Sequence, residues 1–382
     1  MIRKIFIIAG ESSGDYLAGK LMESMRRICT DPIEFFGIGG PCMKKAGLRQ
    51  LFSLDELSII GIFEVLGKIL HLKRLIDRTV AAVFAYKPDI VVTVDSSGFT
   101  HRVAKKIKKQ SQMPLPIIHY VAPPVWAWRG WRAKSMHKFI DKLLVLWPFE
   151  PPLFQKYGLD TVFVGHPIAG DVDFEKPSEQ QLENFKKSYG LSGENRSIVL
   201  LPGSRQSEVS KHLPILEEFA DLMNANYGPL EFIIPTTESM KEILEPAVSH
   251  WRSKPLVIAD KTLKVLAYYA ADLAVAASGT VTLELARTGL PSIIIYKTSL
   301  ITYAIVKFLI RIKHVGLINI LAQQDVVPEL LQWDCTGKNI FHRAISILEN
   351  PPQIAEQKKK FAEIMEQISA HPDKAAIEVL KT

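Results

Sequence analysis

The chain has 382 residues, 47% of them hydrophobic and 23% charged, which is typical of about two globular domains. Its formal charge of +7 and pI near 9.1 fit anionic partners such as phosphates, nucleic acid or an acidic membrane surface. Cys29, Cys42 and Cys335 have neither disulfide nor zinc spacing, which excludes a disulfide scaffold and indicates a reducing cytoplasm. The apolar run 5–9 is too short for a signal peptide.

Short apolar strands alternate with helical patterns through the first half of the chain. The turn at 10–15 is rich in glycine but lacks the three-glycine spacing of a dinucleotide site. A helix over about 62–86 precedes the strand at 89–94. Strands are predicted at 4–9, 34–38, 89–94, 117–121, 142–146 and 161–164.

The second half repeats the alternation after a polar stretch at 171–196 that we interpret as a linker with a lead-in helix. Its strands are predicted at 197–201, 231–234, 256–258, 273–276 and 292–295. The pattern predicts an α/β protein of two facing, doubly wound, Rossmann-like domains, 1–168 and 169–349, with ligands at the carboxyl ends of the strands. The helices of about 350–382 are expected to return to the first domain.

One turn of the second half has the chemistry of a phosphate site. Ser278, Gly279 and Thr280 follow an apolar strand and open a helix. Glycine lets a ligand approach the backbone, hydroxyls donate hydrogen bonds, and the helix N-terminus attracts anions. Glu284, one turn further, is a candidate for sugar hydroxyls. An ordinary helix cap is the alternative interpretation.

The turn at 201–205 points to the same ligand. Ser204 and Arg205 end the first strand of the second half, and the guanidinium fork of Arg205 suits a diphosphate because it donates two parallel hydrogen bonds. A solvated surface arginine is the alternative. Together the two turns favour a nucleoside-diphosphate site.

Nine motifs, spread in order over nearly the whole chain, resemble those of the lipid-A-disaccharide synthase family, glycosyltransferases with the two-domain GT-B fold. They are GESSGD at 10–15, GIGGPCM at 37–43, GIFEVL at 61–66, APPVWAW at 122–128, PFE at 148–150, FVGHP at 163–167, LPGSR at 201–205, SGTVTLE at 278–284 and PELLQ at 328–332. The resemblance implies transfer of 2,3-diacylglucosamine from its UDP donor to 2,3-diacylglucosamine 1-phosphate (lipid X), with inversion and without a metal or other cofactor. It also implies an enzyme of the cytoplasmic face of the inner membrane of a Gram-negative bacterium.

Candidate catalytic and sugar-binding residues follow from this scheme. Asp95, at the end of the strand 89–94, is the candidate base for the acceptor hydroxyl, with a helix cap as the alternative. The run after it, SGFT, departs from the family's usual pattern. Glu11 and Asp15 are candidates for orienting the acceptor or for an alternative base. Asn319 matches a family asparagine, and with Gln332 it is expected to contact the donor sugar or phosphate.

Acylated substrates require an approach to the membrane. The stretch 59–76 places apolar residues at helical spacing among Lys and Arg, and a second such stretch lies at 301–312. Both are too short or too charged to span a bilayer, so we predict interfacial contact, with a core-facing helix as the alternative. The residues predicted to contact membrane or acyl chains are Ile62, Phe63, Leu66, Ile69 and Leu70.

Two other classes of protein share part of this pattern. A soluble UDP-sugar enzyme of the same fold, such as UDP-N-acetylglucosamine 2-epimerase, would share the donor site but need no membrane surface. A non-enzymatic protein that binds nucleic acid or a membrane would explain the basic pI but not Ser278, Arg205 and Asp95. No stacked-aromatic RNA motif is present, so nucleic acid is not an expected partner. The sequence leaves homo-oligomer formation open.

Overall fold

The computed structural model describes residues 2–58, 65–111, 113–126, 130–193, 195–298 and 314–382, without the side chains of 55, 58 and 65–69. The chain forms two compact units. The first comprises Met1–Pro167 with Ile368–Thr382, and the second comprises Ile168–Gln367.

The described part of the first unit contains a seven-stranded parallel sheet, in the order β3-β2-β1-β4-β5-β6-β7. Its strands are β1 Arg3–Ala9, β2 Ile33–Gly39, β3 Leu48–Ser53, β4 Ile90–Val94, β5 Ile117–Tyr120, β6 Lys142–Val145 and β7 Asp160–Phe163. Its helices up to Pro167 are α1 Ser12–Ile28, α2 Pro41–Lys45, α3 Asp55–Ser58, α4 Val65–Tyr86, α5 Ser97–Gln110, α6 Ala133–Met136 and α7 Pro151–Gln155. Every residue of β4 is buried, because its two faces are covered, and this explains its continuous apolar sequence.

The described part of the second unit contains a six-stranded parallel sheet, in the order β10-β9-β8-β11-β12-β13. Its strands are β8 Ser197–Leu201, β9 Glu231–Pro235, β10 Leu256–Ile258, β11 Leu273–Ala277, β12 Ser292–Tyr296 and β13 Glu329–Leu331. Its helices are α8 Glu179–Ser188, α9 Gln206–Asn226, α10 Glu238–Val248, α11 Lys261–Ala270, α12 Val281–Thr288, α13 Leu317–Ala322, α14 Gly337–Leu348 and α15 Pro351–Gln367. In both sheets the strand order reverses beside the first strand, which is where doubly wound folds bind ligands.

The C-terminal helices divide between the two units. Helix α15 packs on α12, α13 and α14 of the second unit, and the Gln357 side-chain oxygen accepts a hydrogen bond from the backbone N–H of Ser292 at 3.1 Å. The second unit therefore extends beyond the expected boundary at 349. The last helix, α16 (Lys374–Leu380), packs on α1 in the first unit, where Lys142 Nζ lies 3.0 Å from Glu378 Oε2.

Three buried histidines make the first unit sensitive to acid. Burial lowers the pKa of His101 and that of His166 to about 4, and the pKa of His119 lies well below its ordinary value for the same reason. Imidazole in an unfolded chain has a pKa of about 6.5. Between roughly pH 6.5 and 4 the unfolded state therefore binds protons that the folded state excludes, which destabilises the fold as the pH falls.

We expect the free energy of unfolding to fall by about 1 kcal/mol per pH unit for each buried histidine on acidification from about pH 6.5. Denaturant titrations over this range measure the slope. His101→Gln should flatten it by the share of one group. An equal slope in the His101→Gln variant would contradict the assignment.

Candidate functional site

Two turns of the first unit meet at the carboxyl ends of β1 and β4. These strands are neighbours, with Ala9 opposite Val94, so the turn after β1 lies beside Asp95. Ser13 Oγ donates a hydrogen bond to Asp95 Oδ2 at 3.3 Å. A Cβ atom on Gly10 would lie 2.2 Å from the hydroxyl oxygen of Ser96, the residue after Asp95. Only glycine therefore lets the turn after β1 come this close to the turn after β4.

The backbone holds Asp95 in an uncommon conformation. Its φ is 50°, in the left-handed region, which aspartate tolerates better than most residues. The N–H of Asp95 donates to Tyr120 O at 2.9 Å, the Ser96 N–H donates to Asp95 Oδ1 at 2.6 Å, and Thr100 Oγ1 donates to the Asp95 carbonyl at 2.8 Å. Ser96, not Asp95, occupies the N-cap position of α5. The partly exposed carboxylate is thus held at the carboxyl end of β4, and it does not cap helix α5.

The two carboxylates of the turn after β1 differ in their surroundings. Glu11 is exposed at the N-cap position of α1, and its side chain does not cap the helix. Asp15 is 3% exposed and accepts hydrogen bonds from the backbone N–H groups of Gly40 at 2.6 Å, Cys42 at 2.9 Å and Met43 at 3.1 Å. Asp15 therefore anchors the N-terminus of α2 to α1, and we replace its expected role as an alternative base by a positioning role.

The second unit brings its two predicted phosphate turns together. Strands β8 and β11 are neighbours, with Leu201 opposite Ala276, so the turns that follow them lie side by side. Arg205 occupies the N-cap position of α9, its side chain is 66% exposed, and its Nη1 lies 3.5 Å from Glu208 Oε1. Ser204, next to it, is also exposed.

The Ser278–Thr280 turn leaves space at the start of α12. Thr280 is the N-cap residue and its side chain makes no capping hydrogen bond, while a Cβ on Gly279 would meet no atom within 4 Å. Ser278 Oγ donates to Val315 O at 3.4 Å. Glu284, in the first turn of α12, contacts Lys264 Nζ at 2.8 Å and accepts from the Tyr268 hydroxyl at 3.0 Å. The turn can receive an anion.

Asn319 and Gln332 have different roles in the structure. Asn319 Nδ2 donates to Val327 O at 2.8 Å and Glu329 Oε1 at 2.7 Å, while its Oδ1 accepts from the N–H groups of Val326 at 2.8 Å and Val327 at 2.9 Å. This buried amide is fully used inside the unit, so we replace its expected sugar contact by a structural role.

Gln332, by contrast, has a donor without a partner among the described residues. It is 4% exposed with φ of 51°, and its Oε1 accepts from the Thr298 N–H at 3.3 Å. Its Nε2 is buried and makes no hydrogen bond to the described part of the chain. Such an orphaned donor at the end of β13 marks a place where a ligand oxygen can bind.

The chain matches known proteins over nearly its whole length. The family model described as lipid-A-disaccharide synthetase matches residues 5–380. The chain belongs to the lipid-A-disaccharide synthase family. It is 38% identical over 359 residues to the lipid-A-disaccharide synthase of Rhodospirillum centenum, covering 92% of this chain and 87% of that one. It is 35% identical over 387 residues to that of Rickettsia prowazekii, covering 100% and 99%. The resemblance drawn from the motifs is confirmed, and this family member is an enzyme of the glycosyltransferase class.

Solved structures confirm the predicted fold class. The UDP-GlcNAc 2-epimerase from Neisseria meningitidis bound to UDP-GlcNAc matches with a TM-score of 0.63 at 11% identity, over 100% of this chain and 98% of that one. A glycosyltransferase from Rickettsia africae matches with a TM-score of 0.59 at 12% identity, over 99% and 97%. At these identities the likeness shows the fold alone, which is two Rossmann-like units of the GT-B class.

Glu150 is a residue of this family member that the sequence analysis did not single out. It follows β6, is 1% exposed, and burial raises its pKa to about 8. Its Oε1 accepts from Trp126 Nε1 and its Oε2 from the Trp147 N–H, both at 3.3 Å. Through these two contacts the carboxyl links the segment after β5 to the turn after β6. Both donors are neutral N–H groups. Its sequence signals were its place in the PFE motif at 148–150 and a carboxyl group next to apolar residues.

His212, on α9, is a second residue that the sequence analysis missed. Its Nδ1 lies 2.7 Å from Pro202 O and its Nε2 lies 3.0 Å from the Lys297 N. The backbone N–H of Lys297 must donate to Nε2, so Nδ1 carries the proton and donates to Pro202. Burial lowers the pKa of His212, which favours this neutral form. His212 thereby fixes the turn that carries Ser204 and Arg205 to the end of β12.

The predicted membrane-contact residues fall largely outside the described part of the chain. Ile62 and Phe63 lie outside it, as does the stretch 301–312, and the side chains of Leu66 and Ile69 are not described. Leu70, on α4, is 58% exposed. Among the described residues, no helix is long and apolar enough to cross a membrane.

Asn319→Ala tests the structural role assigned to Asn319. The change leaves the backbone groups of Val326 and Val327 without their buried partner, so we expect a loss of about 3 kcal/mol in the free energy of unfolding. Denaturant titration measures this loss, and calorimetry at low temperature compares UDP affinity in the folded variant. Unchanged stability with a large loss of UDP affinity would restore the ligand role.

Proposed function

We propose that this chain transfers 2,3-diacylglucosamine from UDP-2,3-diacylglucosamine to lipid X, producing UDP and the β-1',6-linked disaccharide 1-phosphate. The match to the synthase family over nearly the whole chain supports this substrate pair. The observation that carries the chemistry is Asp95, a carboxylate held by Ser13 and Ser96 at the carboxyl edge of the first sheet.

In the proposed reaction, Asp95 removes the proton from the 6-hydroxyl of lipid X while that oxygen attacks the anomeric carbon of the donor. The new C–O bond forms as the bond from the anomeric carbon to the diphosphate breaks, which inverts the configuration. The proton remains on Asp95 and UDP leaves with the bonding electrons. Ser13 Oγ holds Oδ2 and the Ser96 N–H holds Oδ1, so the carboxylate is fixed in orientation while each oxygen keeps a further lone pair that can accept the proton of the acceptor hydroxyl.

The leaving diphosphate needs compensation of its developing negative charge. We assign this to Arg205, which supplies a permanent cation, and to the open N-terminus of α12 at Gly279 and Thr280. Ser204 and Ser278 are proposed to donate further hydrogen bonds to phosphate oxygens. Within the described residues, no group of three or more His, Cys, Asp or Glu side chains could hold a metal ion.

The uridine and sugar parts of the donor are assigned to two further residues. Glu284 is proposed to accept from ribose hydroxyls, with Lys264 and Tyr268 fixing its carboxylate. The buried Gln332 Nε2 is proposed to donate to the donor sugar, because a bound oxygen would satisfy a donor that has no partner among the described residues. Glu11 remains a proposed acceptor-orienting residue.

Both substrates are acylated, so we also propose peripheral association with the cytoplasmic face of the inner membrane. The stretch 59–76 is the proposed site of acyl contact, and the exposed Leu70 is its described part.

A detergent assay tests the proposed function. Purified protein is incubated with UDP-2,3-diacylglucosamine and lipid X in the presence of a chelator, and mass spectrometry detects the disaccharide 1-phosphate. We expect product with the acylated pair and no epimer from UDP-N-acetylglucosamine alone. Binding of UDP without formation of the disaccharide would refute the acceptor assignment.

A further inference from the structure

The basic charge of the chain is concentrated in one segment. Between Asp95 and Asp141 the sequence contains nine Lys or Arg residues and no Asp or Glu. The rest of the chain contains the other 38 of the 47 basic residues and all 40 acidic residues. The net charge of +7 therefore comes entirely from 45 residues of the first unit, 96–140.

The fold gathers four of these nine cations around one groove. Helix α5 and the segment 133–139 line a common groove of about 420 Å³, formed by Lys105, Lys108, Lys109, Ser135, Lys138 and Phe139. Lys105, Lys109 and Lys138 are exposed and form no ion pair with a described residue. Lys108 is the member with an acidic partner, Asp141 at 2.7 Å.

The described part of the same segment carries two exposed apolar side chains that do not line the groove. Trp131 is 68% exposed, one turn before α6, and Met113 is 78% exposed, just after α5. An exposed tryptophan among lysines is typical of a surface that enters the interfacial layer of a membrane.

We propose that the groove between α5 and 133–139, together with Trp131, docks the first unit on a membrane of anionic phospholipids. This inference rests on the proposed function, which requires the enzyme to reach acylated substrates, and it adds a cationic surface to the predicted apolar contacts. The lysines bind lipid phosphates, and Trp131 inserts at the level of the headgroups.

A single-stranded nucleic acid is the other polyanion that such a charge could attract. Proteins that bind it place aromatic faces along the cationic groove, so that bases can stack on them. Here the groove's one aromatic ring, among the described residues, is Phe139, which is 4% exposed and lies under Lys105 Nζ at 4.7 Å from the ring centre. The geometry thus favours a headgroup layer.

Sedimentation of the full chain with vesicles tests the proposal without use of the acylated substrates. The probes are phosphatidylcholine vesicles with and without about one third phosphatidylglycerol. The docking variant combines Lys105→Glu, Lys109→Glu and Lys138→Glu. The control combines Lys44→Glu, Lys45→Glu and Lys156→Glu, which changes the charge by the same amount on exposed lysines elsewhere in the first unit.

We expect wild type and control to bind the anionic vesicles, and the docking variant to bind at least about tenfold more weakly. Trp131→Ser should also weaken binding of the protein to the anionic vesicles. Circular dichroism verifies that each variant is folded. Disaccharide synthesis in detergent should persist in the docking variant, which separates failure of docking from failure of the proposed function. Equal vesicle binding by the docking and control variants, or preference of the wild type for oligonucleotides, would overturn the proposal.

Discussion

Asp95→Asn is expected to lower kcat by about 10²- to 10⁴-fold, the usual contribution of a general base. Asparagine has almost the same shape, and its side-chain oxygen can still accept from the Ser96 N–H, so the turn should keep its structure. The amide cannot take the proton of the acceptor hydroxyl. Initial rates at saturating donor and lipid X measure the loss, and UDP affinity should change little because the predicted diphosphate turns belong to the second unit.

Substitutions at two residues of the turn beside Asp95 test whether Asp95 itself is the base. Ser13→Ala removes the hydrogen bond to Asp95 Oδ2 and should lower kcat only about tenfold. Glu11→Gln alters the exposed carboxylate at the start of α1 and should leave most of the activity. If Glu11→Gln abolished turnover while Asp95→Asn kept it, the role of base would pass to Glu11.

The sequence predicted the central strands well because burial on both faces demands continuous apolar residues. Strands β1, β4, β8 and β11 have this pattern and lie in the middle of their sheets. Strands β3 and β13 were missed, since each lies at the edge of its sheet and carries polar residues. The other two edge strands, β7 and β10, have short apolar runs and were predicted, so an edge position permits polar residues without requiring them.

The sequence predicts a site residue poorly when its polar side chain stabilises the fold instead of contacting substrate. Asp15 lies in a motif shared with the family and Asn319 matches a family asparagine, but neither match distinguishes contact with substrate from support of a loop. The structure does so, because their polar atoms are already used by backbone groups of the same unit. Glu150 and His212 show the converse, since their roles depend on partners that lie far away in sequence or on burial.

Arg205→Ala is expected to weaken UDP binding by about 10- to 100-fold, the range given by losing hydrogen bonds between a charged donor and phosphate. The side chain is 66% exposed and its ion pair with Glu208 is long, at 3.5 Å between Nη1 and Oε1, so its removal should cost the fold little. The loss should therefore appear in binding rather than in stability. Calorimetry with UDP measures it, and thermal unfolding verifies that the fold is unchanged.

Binding of uridine provides the sharper control for this assignment. If Arg205 acts on the diphosphate, the alanine variant should bind uridine as the wild type does while losing affinity for UDP. Arg205→Lys should fall between the two, because lysine keeps the charge but cannot donate two parallel hydrogen bonds. Equal loss for uridine and UDP would instead mean that the substitution disturbs the turn that His212 fixes through Pro202. Equal UDP affinity in wild type and Arg205→Ala would remove Arg205 from the donor site.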